Sequence, residues 1–261
     1  MNAEQVMVSE QERSLELEVA GGHATRSTLG KLERLRKERQ RASLGRLARL
    51  FDDYEFRDEM LFSARLRRRA GELVQCLDDP QWATVQLLDL ASGSFPALEG
   101  KMGAFFNSLP QLHTVTRLQP RLLPEVPCPR ITSVSLPAAP LDRLAAAFPG
   151  LRSLEFVDHL RDARAFWAHP FIDKVESVTV RSLTWSQGKL TTRAGLARDA
   201  FVEWVESGPP LTHMELSEDD ILSAGELYGL RELLAAARRK GAEVILMPSS
   251  ERGHAPQWSS Y

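Results

Sequence analysis

One six-residue pattern constrains this chain more than any bulk property: apolar residues at its first, fourth and sixth positions, with mostly polar residues between. It recurs at Leu61/Ala64/Leu66, Val85/Leu88/Leu90, Leu112/Val115/Arg117, Ile131/Val134/Leu136, Leu151/Leu154/Phe156, Val175/Val178/Val180, Leu211/Met214/Leu216 and Ala242/Ile245/Met247, and only Arg117 breaks it. Positions four and six lie two apart, the period of a strand with one face in a core. Successive first positions are 24, 27, 19, 20, 24, 36 and 31 residues apart. In the middle of the chain that spacing fits one short repeat unit per strand, which is how a stack of small units buries a continuous core.

The segments between frames carry helical spacing instead. Leu98, Met102, Phe105 and Phe106 form one such set, Leu141, Leu144 and Phe148 another, and Ala165, Phe166 and Phe171 a third. Leu196, Phe201, Trp204 and Val205 follow, then Leu227, Leu230, Leu233 and Leu234. Pro110, Pro149-Gly150, Gly208-Pro209-Pro210 and Gly241 stand just before frames, where a helix must stop. Upstream, Leu32, Leu35, Leu44, Leu47, Leu50 and Phe51 predict one broken helix or two, and Tyr54 and Phe56 before Leu61–Leu66 predict a hairpin. Residues 1–29 show no sustained periodicity and predict a flexible acidic arm. The expected organisation is that arm, a helical and hairpin cap over 30–60, a repeat body over 61–250 and a flexible tail over 251–261.

The frames Ile131-Thr-Ser-Val134-Ser-Leu136, Leu151-Arg-Ser-Leu154-Glu-Phe156 and Leu211-Thr-His-Met214-Glu-Leu216 resemble the LxxLxL core of leucine-rich-repeat proteins. Together with Leu44 to Ala64-Arg-Leu66, Trp82-Ala-Thr-Val85 and Leu88-Asp-Leu90, the chain is similar to irregular leucine-rich-repeat-like proteins of high-GC bacteria, of the repeat-companion type, over residues 44–248. The resemblance implies an α/β solenoid with a parallel strand ladder behind an N-terminal helix and hairpin cap, used to bind other proteins. The family's Asn eight residues after each first position is replaced by Arg69, Gly93, Pro120, Ala139, His159, Leu183, Asp219 and Ser250, so the turn after each strand departs from the family's.

Charge is distributed unevenly beneath a net value of −2. Residues 1–25 set one arginine against five glutamates, and residues 26–70 set fourteen basic side chains against seven acidic ones. A basic helix can grip phosphate backbones, yet this one lacks interleaved aromatics, and a solvated face or pairing with the chain's own acidic arm accounts for it better. A nucleic-acid partner is therefore not expected. No apolar run approaches the roughly 18 residues that cross a bilayer, and the first residues lack the pattern of an export signal. Cys76 and Cys128 form no CxxC pair or His-containing metal pattern, so the expected compartment is a reducing cytoplasm.

Signals for catalysis are weak. The six histidines are scattered, without HExxH, HxH or a Cys/His cluster, and no cofactor or metal is expected. Gly188-Lys189 fails as a phosphate loop because Leu183 stands where the first glycine is required and Leu190 where a hydroxyl would hold magnesium. The enzyme alternative is a hydrolase built on Ser92, Ser94, Asp158 and His159 in loops after strands. Residues Leu216–Pro248 also resemble the closing helix and strand of a STAS-type regulatory domain. A non-catalytic binder of another protein remains the expected function. Its open face, at positions three, five and seven, runs from Ser63/Arg65/Arg67 and Leu87/Asp89/Ala91 through Thr114/Thr116/Leu118 and Ser133/Ser135/Pro137 to the strands after Ser153. There Glu155, Arg181, His213 and Glu215 are candidate contacts, with Val244 and Leu246 on the same face. Trp185, Trp258 and Tyr261 are candidate exposed anchors off it, and Trp167 and Trp204 are assigned to the core.

Overall fold

The computed structural model describes residues 3–22, 24–67, 73–91, 95–157, 162–180, 183–192, 198–217 and 234–247. The fold is mixed α/β, and its eleven described strands pair mostly in parallel. Contacts divide the chain into two compact units, Met1–Ala97 with Leu109–Gln111, and Leu98–Ser108 with Leu112–Tyr261. No helix among the described residues is long and apolar enough to cross a membrane.

The first unit opens with α1 (Ala3–Ala20), where a flexible arm was expected, and α2 (Arg26–Leu44), which runs unbroken through the polar stretch over Lys37–Ala42. Charge, rather than apolar periodicity, joins them. Glu12 of α1 is buried and lies 3.5 Å from Arg36 Nε and 3.4 Å from an Arg39 guanidinium nitrogen, while Glu16 receives Arg36 at 2.7 Å. Thr28 Oγ1 donates to Glu18 at 2.8 Å, and Thr25 caps α2 by accepting from the Thr28 N–H at 3.1 Å. The acidic arm thus neutralises part of the basic helix. Only the half-buried Leu15 and Val19 add apolar contact in the described part of α1, which is why periodicity did not reveal this helix.

Helix α2 ends at Gly45, whose φ of 53° and ψ of −122° suit a residue without Cβ, and passes into a 3-10 turn, Gly45–Arg49. Leu44, Leu47 and Leu50 are buried there, as the leucine spacing predicts. The hairpin follows as β1 (Phe51–Arg57) and β2 (Met60–Leu66), antiparallel. Its two-residue turn, Asp58-Glu59, has φ of 49° and 64°, the left-handed pair that matches the natural twist of a hairpin. Strand β3 (Leu87–Asp89) pairs in parallel with β2, and Phe51 meets Trp82 edge-on at 5.4 Å between ring centroids.

The second unit contains α3 (Met102–Ser108), β4 (Thr114–Thr116), β5 (Ser133–Leu136), α4 (Leu141–Ala147), β6 (Ser153–Phe156), α5 (Ala163–Trp167) and β7 (Ser177–Val180). Strands β4 to β7 are successive parallel neighbours. Their fourth frame residues point inward as expected: Val134, Leu154 and Val178 are at most 1% exposed, and so is Met214 further on. The frame broken by Arg117 is repaired by backbone geometry. Arg117 takes φ of 55°, which swings Leu118 into the core, where its N–H donates to the Ser135 carbonyl at 2.9 Å. Leu118 therefore belongs to the core and not to the open face.

The stretched interval after β7 contains a further hairpin, β8 (Leu183–Ser186) and β9 (Lys189–Thr192), inserted into the sheet. Strand β8 is antiparallel to both β7 and β9. Gln187 and Gly188 turn it with φ of 49° and 81°. Helix α6 (Arg198–Ser207) leads to β10 (His213–Ser217), parallel to β9, and β11 (Glu243–Met247) closes the described order parallel to β10. The register of β11 corrects its frame. Val244, and not Ile245, lies opposite the buried Met214, and Ile245 is 39% exposed. Val244 takes the inward position there, so β11 runs one residue out of phase with the expected frame Ala242/Ile245/Met247.

Candidate functional site

Side chains alternate across a strand, so the register of the second unit fixes which residues share its polar face. One row runs Thr114, Ser133, Ser153, Ser177, Ser186, Lys189, His213, Glu243. A second runs Ser135, Glu155, Thr179, Thr184, Thr191, Glu215, Ile245. Adjacent strands are about 4.8 Å apart, so the hydroxyls form a regular ladder of short donors and acceptors. Most are half-buried, and Thr179 and Thr184 join through their hydroxyl oxygens at 3.2 Å. Short side chains on rigid strands lose little freedom when a partner covers them.

Charge gathers at one end of the ladder. Lys189 Nζ lies 2.5 Å from Glu215 Oε1, His213 Nε2 lies 3.4 Å from the same oxygen, and His213 Nδ1 lies 3.6 Å from Glu243 Oε2. The hydrogen bond from the Lys189 ammonium holds the Glu215 carboxyl below its ordinary value of 4.5, against the opposing effect of burial. Glu215 is therefore ionised across the neutral range and fixes the orientation of its two neighbours. No group of three or more His, Cys, Asp or Glu side chains suited to a metal occurs among the described residues.

Of the candidate contacts, His213 and Glu215 come together in this cluster. Glu155 stands on the second row at β6, exposed, with three strands between it and Glu215. Trp185 is not an exposed anchor. It is paired in register with Val178 and Leu190, which are both buried, and its ring meets Trp167 at 5.4 Å. Trp167 and Trp204 are core residues as expected, 4.4 Å apart between ring centroids, with Phe166 beside them. The indole N–H groups of Trp167, Trp185 and Trp204 are buried with no hydrogen-bond acceptor among the described residues, so apolar and ring contacts rather than indole hydrogen bonds pack this cluster.

Arg181, Trp258 and Tyr261 lie outside the described residues, as do Ser92, Ser94, Asp158 and His159 of the hydrolase alternative and most of the helix in the STAS-like segment. His169 pairs with Asp142 at 3.1 Å, and the Phe171 N–H donates to its Nδ1 at 3.2 Å. Lys189, Glu243, Thr184, Ser186 and Thr191 were missed. The signal was present in Leu183-Thr-Trp-Ser186, Gln187-Gly188 and Lys189-Leu-Thr-Thr192, two alternating four-residue runs around a dipeptide ending in glycine.

No protein-family model, curated protein or solved structure matches this chain.

Proposed function

We propose that the chain is a non-catalytic, cytoplasmic protein-binding module, a leucine-rich-repeat-like ladder whose polar sheet face receives another protein. The observation that carries this is the in-register face of the second unit, with five hydroxyl residues in one row from Thr114 to Ser186 and an ion cluster beginning at Lys189. Such a face offers positioned hydrogen bonds along its length and electrostatic registration at one end, which serve specificity and orientation in a protein interface. The two buried free thiols, Cys76 and Cys128, suit a reducing compartment.

The test introduces bulk and charge where the partner would lie. Ser153→Arg and Ser177→Arg, on half-buried register partners, should abolish capture of the partner from the native cytoplasm while leaving the thermal transition within a few degrees of wild type. Asp173→Arg, on the 3-10 turn Ile172–Lys174 outside the sheet, should leave capture intact. Equal capture by all three variants would refute the assignment of this face.

A further inference from the structure

The geometry points to a second contact, in the first unit: a basic groove along α2 that takes an acidic peptide segment of a partner protein. The inference rests on the protein-binding function proposed for the sheet face and adds the chemistry of the partner.

The stripe Gly30, Arg34, Lys37, Arg41 recurs at helical spacing and is turned roughly opposite the stripe Thr28, Leu32, Arg36, Arg39 that meets α1. Two adjoining concavities follow it, of about 500 Å³ beside Tyr54 and about 470 Å³ toward Arg49 and Arg67, and both are lined by Glu38 and Arg41. Gly30, Ala42, Gly45 and Ala48 give the groove a low floor, so a peptide backbone can approach closely.

The charges in this groove are available. Glu33 and Glu38 are held within the helix by Lys37 at 2.8 Å and Arg34 at 3.0 Å, exposed pairs of small worth that can exchange partners. Arg67 is braced, its Nε donating to the Phe51 carbonyl at 3.0 Å beside Asp52 at 3.4 Å. Arg41 and Arg49 are exposed and have no ion pair among the described residues. The opposite stripe of the same helix already shows the preferred occupant, since it binds carboxylates of a helix, Glu12 and Glu16. The groove has a single aromatic, Tyr54, in its lining, too few for the stacking platforms that a single-stranded nucleic acid uses, whereas acidic side chains need only the cations.

The test uses the full chain and three labelled probes: decaglutamate, decalysine and a ten-nucleotide thymidine strand, titrated by fluorescence anisotropy at low and at moderate salt. Decaglutamate should bind saturably, with affinity falling as salt rises, and Arg41→Gln/Arg49→Gln should weaken it at least tenfold with an unchanged thermal transition. Arg121→Gln/Arg143→Gln, in the second unit, should bind as wild type does. Undiminished binding by the Arg41/Arg49 variant, equal loss in the control variant, or tighter binding of the thymidine strand would each overturn the inference. Loss of partner capture by Ser153→Arg with no decaglutamate binding refutes the groove alone. Decaglutamate binding with capture unaffected by Ser153→Arg refutes the sheet face alone.

Discussion

Replacing Leu154 by alanine probes the parallel ladder at its centre. The side chain is wholly buried, with Val134 and Val178 opposite it on the two neighbouring strands, both themselves buried. Removing three carbons forfeits about 2.4 kcal/mol of transfer free energy at about 0.8 kcal/mol each. The flanking side chains stand on hydrogen-bonded strands and can close in only partly, so the residual cavity adds about 1–2 kcal/mol. The total of about 3.5–4.5 kcal/mol corresponds to a fall in melting temperature of roughly 10 °C for a chain of this size. Thermal and urea unfolding followed by circular dichroism measure it, with Ser153→Ala on the polar face as reference. A fall no larger than that of Ser153→Ala would refute both the frame phase and the parallel pairing of β5, β6 and β7.

Three further outcomes follow from particular contacts. In β11, Val244→Asp should lower the melting temperature strongly while Ile245→Asp changes it little, because Val244 lies opposite buried Met214 and Ile245 is exposed; the reverse order would restore the frame read from sequence. A Cβ on Gly150 would meet the Pro129 carbonyl oxygen at 2.3 Å, so Gly150→Ala should cost about 2–3 kcal/mol, whereas Gly30→Ala, in helix α2 with nothing within 4 Å, should stabilise by about 0.5–1 kcal/mol. Because the folded state lowers the Glu215 pKa, the stability this carboxylate contributes is complete above its ordinary value of 4.5 and is lost as pH falls through the folded value. The stability gap between wild type and Glu215→Gln should therefore be constant near neutrality and close under acid, and a gap that widens as pH falls would contradict the Lys189 pairing.

The strands could be read from sequence because each frame carries its own period-two signal over six residues. The buried Ile131/Val134/Leu136, Leu151/Leu154/Phe156 and Val175/Val178/Val180 sets needed no long-range information. The signal failed where local pattern was silent. Ala242-Glu-Val-Ile-Leu-Met is nearly continuous in apolar residues and contains no alternation to fix its phase, so only pairing with β10 could set it. Helix α1 is held by Glu12, Glu16 and Glu18 against Arg36, Arg39 and Thr28, a tertiary arrangement that leaves no apolar stripe to detect. Trp185 was expected as an exposed anchor, and its partial burial depends on β8 joining the sheet with Val178 opposite. Of the polar face, His213, Glu215 and Glu155 were legible as outward positions; Lys189, Ser186 and Thr184 were not, because the hairpin that carries them was not recognised.

Hydrogen–deuterium exchange of the full chain, alone and with its captured partner, tests the central claim most directly. Binding across the polar face predicts slowed exchange over Ser153–Phe156, Ser177–Val180, Leu183–Ser186, Lys189–Thr192 and His213–Ser217, with α4 and α5 unchanged. Protection confined to those helices, with the strands exchanging as in the free protein, would contradict it.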